Sequence, residues 1–154
     1  MLKSTLTIVL LSVSCAGLAS VGPHATSTGI GDGKKIILPP GATPSRNYSQ
    51  GILVDGTLYI SGQSGEDADG KVPGDFGAEV KQCLDNIGAI LKAAGMSPAD
   101  VVSVQVYLTD SARFPQMNAL YTEYFKDPRP TRTTVVVAKL LGPGNIEITV
   151  TARK

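Results

Sequence analysis

The residues that could carry chemistry lie near the C-terminus, where an arginine and a glutamate stand on two successive predicted strands. Arg132 opens an apolar run, and Glu147 follows fifteen positions later between Ile146 and Ile148. A guanidinium can bind a carboxylate through two parallel hydrogen bonds, and a carboxylate can accept a proton from water. The two side chains could face one site. From the residues alone we favour a structural salt bridge, because such ion pairs are common and this spacing defines no reaction.

The sequence lacks the motifs of other common chemistries. The glycines at 142 and 144 are not followed by the Lys-Ser/Thr pair of a phosphate-binding loop, and there is no G-x-S-x-G nucleophile elbow. One histidine and two cysteines are too few for a clustered metal site, so we expect no bound metal. A net charge of +1 does not indicate the strongly positive surface that is typical of nucleic-acid-binding proteins. Cys83 is interpreted as a small buried hydrophobe.

Six strands and two helices are predicted to position these residues, in the order β-ββ-α-β-α-ββ. The chain has 154 residues, 42% of them hydrophobic, which suits a single α+β domain with both helices on one face of the sheet. Asp55-Gly56 between two β-prone runs predicts a type I′ hairpin. The aromatic residues of the second helix are interpreted as core rather than as a stacking platform. The strands are expected at 35–38, 51–54, 57–61, 101–109, 133–140 and 146–151, the first helix at 75–94, and the second between 109–111 and 127–130.

The strand that contains Val135, Val136, Val137 and Ala138 is apolar at neighbouring positions as well as at alternating ones. Strands of this type are typical of sheets that are buried on both faces. Because a chain this short has little to cover a second face, we expect another subunit to cover it.

The N-terminus is predicted to be a secretory signal. Lys3 precedes an apolar run at 6–11, and Gly17 and Ala19 are suitable −3 and −1 residues for cleavage before Ser20. Residues 1–19 are therefore the expected signal peptide, and 20–34 a flexible lead-in rich in glycine, serine and threonine. The protein is expected to be exported, to the periplasm or the medium, without stable membrane association.

Two alternatives for the N-terminus are less favoured. An uncleaved anchor would need about 20 apolar residues, more than this run contains. A lipid on Cys15 lacks the preferred leucine three residues upstream. His24 lies in the lead-in and is a poor catalytic candidate.

Five segments together carry a resemblance to a known family. They are 48–51, 58–63, 82–87 with 93–95, 117–121, and 132 through 146–148. Through them the chain from about residue 35 to residue 154 resembles the Rid (YjgF-like) family of imine/enamine deaminases. The resemblance implies a chorismate-mutase-like α+β subunit with a six-stranded mixed sheet, assembled as a homotrimer with clefts between subunits. It also implies hydrolysis of 2-imino acids or enamines to 2-oxo acids and ammonia without a cofactor.

The resemblance also implies roles for individual residues. Arg132 matches the family's carboxylate-binding arginine, Glu147 its acid that holds or activates water, and Tyr48 its pocket tyrosine. The matching substrate-binding positions are Ser61, Asn118 and Thr134, and the last is often cysteine in the family. Turn or helix-cap roles for Ser61 and Asn118 are an equally good interpretation.

The chain also departs from the family pattern at the rim of the cleft. Arg46-Asn47 replaces the usual Gly-Pro, Ser64-Gly65 replaces Ile-Pro, and Thr149 replaces a second acid. Arg46 could favour an acidic substrate side chain, although we expect it to be solvated.

Two other functions remain open at this point. One is an exported trimer that binds small carboxylates or protects other proteins without turnover. The other is an endoribonuclease, which the neutral charge after signal cleavage and the lack of a histidine base in the domain disfavour.

Overall fold

The computed structural model describes residues 28–30, by their backbone alone, and residues 33–154. Two single-turn 3-10 helices lie at Pro98–Asp100 and Ser111–Arg113. The longer elements in the described residues are β1 (Thr28–Ile30), β2 (Lys34–Ile37), β3 (Gly51–Val54), β4 (Thr57–Ser64), α1 (Phe76–Ala93), β5 (Val101–Leu108), α2 (Phe114–Tyr124), β6 (Thr131–Val136) and β7 (Ile146–Arg153).

The strands form one mixed sheet in the order β1-β2-β3-β4-β7-β5-β6. Neighbouring strands are antiparallel except β5 and β6, which run parallel because α2 connects them. Asp55 and Gly56 have φ values of 49° and 73°, and they form the predicted turn between β3 and β4. The α+β class and the six predicted strands are confirmed. Both helices lie on one face, α1 against β4 and β7, and α2 against α1.

Two parts of the sheet differ from the sequence-based expectation. Thr28–Ile30 was expected within the flexible lead-in, yet it forms a seventh strand that pairs with Lys34–Ile36. β6 was expected at 133–140, and it begins and ends earlier. The pairing of β6 with β5 begins with Thr131 in register with Ser103. It ends at Val137, whose N–H donates a hydrogen bond to the carbonyl of Leu108, the last residue of β5.

The core lies between the helices and one face of the sheet. The apolar stripe of α1 is buried as predicted, and Asp75 caps the helix by accepting a hydrogen bond from the Ala78 N–H at 2.8 Å. On β5 and β7 every second side chain points into this core. The buried residues of these two strands are Val101, Val104, Val106, Leu108, Ile146, Ile148, Val150 and Ala152, and a register shift follows Val101.

β6 is an edge strand, and Val135 and Val136 are 40% and 53% exposed. Leu141, in the loop after β6, is fully exposed. The described residues of a single chain therefore do not bury β6 on both faces. An apolar edge strand is a template for association, and the expectation that another subunit covers this surface stays a prediction.

The signal peptide expected at 1–19, most of the expected lead-in, Cys15 and His24 lie outside the described residues. Cleavage and export therefore stay predictions from sequence. Within the described part of the chain, no helix is long and apolar enough to cross a membrane.

Cys83 is fully buried, as expected, and its thiol donates a hydrogen bond to the carbonyl of Gln63 at 3.1 Å. Burial raises the pKa of the Cys83 thiol far above its ordinary value of 9.0, and the charges of Glu79 and Glu147 raise it further. The thiolate is the reactive form, so Cys83 is not a nucleophile in this fold.

This burial predicts a pH-dependent stability. Above about pH 9 the unfolded chain loses the Cys83 proton while the native state keeps it, so the free energy of unfolding falls as pH rises. Denaturant unfolding of the wild type should lose up to about 1.4 kcal/mol per pH unit more than Cys83→Ala between pH 9 and 10.5. Parallel pH profiles for the two proteins would contradict this assignment.

Candidate functional site

Arg132 lies on β6 with its guanidinium stacked on aromatic rings of α2. The guanidinium carbon is 4.4 Å from the centre of the Tyr121 ring and 5.7 Å from that of Phe114. Cation–π contacts of this kind contribute about 0.5–2 kcal/mol. Stacking occupies a face of the planar guanidinium, so the N–H groups on its edge are left to bind a planar anion such as a carboxylate.

The parallel pairing of β5 and β6 aims Arg132 at α2. Arg132 is in register with the buried Val104, so both side chains lie on the helix-covered face of the sheet. Thr134, two residues along β6, shares that face. On α2 the spacing from Phe114 to Asn118 to Tyr121 places these three side chains along one side of the helix.

Two hydroxyls beside Arg132 have no hydrogen-bond partner among the described residues. They are Tyr121 Oη and Thr134 Oγ1, and both oxygens are buried. Burial raises the pKa of Tyr121, against the opposing effect of the Arg132 and Arg129 charges. Buried polar groups are nearly always paired, so these hydroxyls need a partner beyond the described residues. We call Arg132, Thr134, Asn118, Tyr121 and Phe114 the arginine half-site.

Glu147 lies on β7 and points to the other face of the sheet. Its neighbours Ile146 and Ile148 are buried in the core, and Glu147 is half-buried on the face that the helices do not cover. It is in register with Ser64 of β4, close to a register shift between Ile60 and Gln63. A Cβ atom at Gly62 would overlap the carboxylate of Glu147, so a larger residue at this position would displace the Glu147 side chain.

Ser61 and Tyr48 lie on the same side of the molecule as Gly62. The Ser61 hydroxyl donates to the Ser49 carbonyl at 2.8 Å, and the Ser61 N–H donates to the Gln50 carbonyl at 3.0 Å. These bonds fasten the segment that carries Tyr48, whose ring is 56% exposed. Tyr48 and Gly62 line a cleft of about 630 Å³, together with amide side chains such as Gln82 and Asn86. We call Glu147, Ser61, Gly62 and Tyr48 the glutamate half-site.

Within one chain the two half-sites do not meet. Arg132 and Glu147 point to opposite faces of the sheet, and β5 lies between their strands. The expectation that they face one site is therefore wrong for a single subunit, and the structural salt bridge is wrong as well. The ion pair that the described residues do contain joins Arg129 to Asp127. Tyr48 precedes β3, four strand spacings or about 19 Å from β6.

The structure adds three residues that the sequence analysis did not assign to the site. Tyr121 and Phe114 were interpreted as core, and Tyr121 is indeed 97% buried, yet both rings also contact the guanidinium. Their seven-residue spacing on one helix was visible, but nothing in the sequence linked that helix to Arg132. Gly62 belongs to the family-like segment at 58–63, but the sequence analysis gave it no role of its own. The described residues contain no group of three or more His, Cys, Asp or Glu placed to hold a metal ion.

The stacking predicts that Tyr121 controls how well Arg132 binds an anion. Tyr121→Leu should weaken binding of pyruvate about 3- to 30-fold in calorimetry, because the cation–π contact is lost. Tyr121→Phe keeps the ring and should weaken binding less. Tyr124→Leu, a matched change one turn along α2, should leave the affinity unaltered. Equal losses for the two leucine variants would contradict the role of Tyr121.

Comparisons with known proteins support one family. The model of the family described as Endoribonuclease L-PSP matches residues 40–154. A 2-iminobutanoate/2-iminopropanoate deaminase from Bos taurus is 48% identical over 103 residues, which are 66% of this chain and 75% of that protein.

Solved structures agree with this result. RidA from the Antarctic bacterium Psychrobacter sp. PAMC 21119 has a TM-score of 0.73 and 36% identity, over 77% of this chain and 98% of that one. E. coli TdcF with bound serine has a TM-score of 0.69 and 33% identity, over 78% of this chain and 98% of that one. The chain therefore belongs to the Endoribonuclease L-PSP family, which is the Rid (YjgF-like) family that its sequence resembles.

Proposed function

We propose that this protein hydrolyses 2-imino acids, or their enamine tautomers, to 2-oxo acids and ammonia without a cofactor. The observation that carries the proposal is the Arg132 guanidinium, which lies over the Tyr121 ring beside two hydroxyls that have no hydrogen-bond partner among the described residues. The deaminases named among its relatives support the reaction type. The bound serine of TdcF supports the ligand class, because serine shares an α-carboxylate and an α-nitrogen with 2-imino acids.

Arg132 binds the substrate carboxylate in this mechanism. Two parallel N–H···O bonds fix both the position and the rotation of the carboxylate, which a lysine ammonium cannot do. The neighbouring Thr134 and Tyr121 hydroxyls and Asn118 then contact the rest of the substrate. Holding the imine carbon in place for attack can supply about 7–11 kcal/mol of the barrier in ideal cases.

Glu147 moves the protons. The carboxylate accepts a proton from water as the water oxygen forms a bond to the imine carbon and the C=N π electrons move to nitrogen. The imine nitrogen is protonated at the start, so this addition gives a neutral carbinolamine. The carbinolamine collapses when its amino nitrogen receives the proton back from Glu147 and the C–N bond breaks, with the bonding electrons leaving on ammonia. The carbonyl forms as the hydroxyl proton passes to the Glu147 carboxylate, which releases it to solvent. Tyr48 hydrogen-bonds the substrate during these steps. The products are one 2-oxo acid and one ammonia.

The proposed site is complete only where two copies of the chain meet. One copy contributes its arginine half-site and its neighbour contributes the glutamate half-site. The exposed Val135, Val136 and Leu141 on and after the edge strand β6 supply an apolar surface for that contact. A homotrimer with three equivalent clefts satisfies this arrangement and closes on itself.

The first test is imine hydrolysis. An amino-acid oxidase generates 2-iminopropanoate, and release of 2-oxo acid is followed with and without the protein. The wild type should accelerate release, Arg132→Ala should remove at least about 90% of the acceleration, and Arg132→Lys should restore little of it. Arg153→Ala is the matched control, because Arg153 bonds Asp55 and Thr57 far from either half-site.

The results can also select another function. Equal acceleration by the wild type and Arg132→Ala would exclude the proposed binding of the substrate carboxylate by Arg132. Tight binding of 2-oxo acids without any acceleration would select a binding protein. The family description favours RNA cleavage as a second candidate, and a ribonuclease activity that survives purification and disappears in Arg132→Ala would select it.

Mixed oligomers test where the site forms. Arg132→Ala and Glu147→Gln chains are each expected to be inactive alone. When they are unfolded together in equal amounts and reassembled, about one quarter of the clefts receive an intact arginine half-site from one chain and an intact glutamate half-site from its neighbour. Activity should return to about one quarter of the wild-type value. No recovery, in mixtures shown to contain both chains in one oligomer, would contradict a shared site.

A further inference from the structure

Glu79 is a buried acid that the mechanism above does not use. It lies on α1, is 1% exposed, and is the one charged side chain that is buried in the described part of the chain. Its Oε1 accepts hydrogen bonds from the backbone N–H groups of Asn145 and Ile146, the latter at 3.2 Å. Its Oε2 accepts a bond from Asn145 Nδ2 at 3.0 Å. A buried carboxylate without a nearby cation is costly, so its retention calls for an explanation.

We propose that Glu79 is a positioning residue that holds the start of β7 and thereby places Glu147 in the catalytic cleft. This role rests on the proposed deaminase function. The two backbone groups that Glu79 binds belong to the residues immediately before Glu147. The position of the Glu147 Cα atom is consequently set by a side chain from a different layer of the fold.

Asn145 is held from its other side as well. The Thr109 N–H donates to the Asn145 carbonyl at 3.1 Å, and the Thr109 hydroxyl donates to Asn145 Oδ1 at 3.2 Å. Thr109 directly follows β5, which pairs with β7. Asn145 therefore connects α1, β5 and β7 at the point where β7 begins.

Two glycines, Gly65 and Gly144, pack closely against Glu79. A Cβ atom at Gly65 would collide with the Cγ atom and the backbone oxygen of Glu79, and one at Gly144 would lie 2.9 Å from Glu79 Oε1. The charges of Glu79 and Glu147 both raise the pKa of the Cys83 thiol.

The hydrogen-bond pattern distinguishes two substitutions. In Glu79→Gln the amide oxygen can occupy the Oε1 position and keep both backbone bonds. Its NH2 group can donate to Asn145 after the Asn145 amide rotates, and the Thr109 hydroxyl can then accept instead of donate. Glu79→Leu has a similar volume and removes all three acceptor contacts.

Kinetics with 2-iminopropanoate test the role. Glu79→Leu should lower kcat at least about 10-fold, because small displacements of a catalytic group are costly. KM should change less than about 3-fold, because Arg132 belongs to the other half-site. Glu79→Gln should keep kcat within about 3-fold of the wild type, and Asp85→Leu, an exposed acid on the same helix, should have no effect. Asn145→Ala should reproduce the kcat-selective loss if Glu79→Leu fails to fold.

Amide hydrogen exchange gives a readout that is independent of turnover. The Asn145 and Ile146 amides should lose protection in Glu79→Leu and keep it in Glu79→Gln. Unchanged protection in Glu79→Leu, or equal falls of kcat in the Leu and Gln variants, would overturn the positioning role. Absence of imine hydrolysis by the wild type would instead refute the proposed function, and the exchange measurement would still decide whether Glu79 holds β7.

Discussion

The stacking of one guanidinium on one aromatic ring is the interaction on which the candidate site depends. A solvated arginine side chain samples many rotamers, and contact with the Tyr121 ring at 4.4 Å restricts those of Arg132. The ring itself is held in the core by α2 and by contact with Phe125, 4.7 Å between ring centres. A flexible cation on an edge strand is in this way oriented by the hydrophobic core.

The same sheet that places Arg132 also separates it from Glu147. Parallel pairing with β5 aims Arg132 at the helices, and alternation along β7 aims Glu147 away from them. No change of side-chain rotamer brings the two groups together within one chain. The second copy that we propose at this edge accounts for the separation, for the exposed valines of β6, and for the two hydroxyls beside Arg132 that lack a partner among the described residues.

The two half-sites are supported in different ways. Arg132 relies on aromatic packing, which tolerates small displacements, whereas Glu147 lies in a strand whose first residues are held by several directional hydrogen bonds. Glycine at 62 and at 144 lets backbone approach both carboxylates closely. The proton transfer that we propose for Glu147 needs a more exact position than the charge contact that we propose for Arg132, and the two kinds of support match that difference.

The sequence by itself determined the six strands, the two helices, the Asp55-Gly56 turn and the buried Cys83, because these follow from periodicity and turn chemistry within short segments. The motifs from 48 to 148 also identified the family and its candidate residues. Only the tertiary structure decided that β5 lies between the strands of Arg132 and Glu147, that Tyr121 supports the guanidinium, and that Glu79 binds the start of β7 from 66 residues away. It also paired Thr28–Ile30 with β2 in a segment whose composition is typical of a flexible linker. Such contacts depend on strand order and on the face to which each side chain points, and no local pattern in the sequence specifies either.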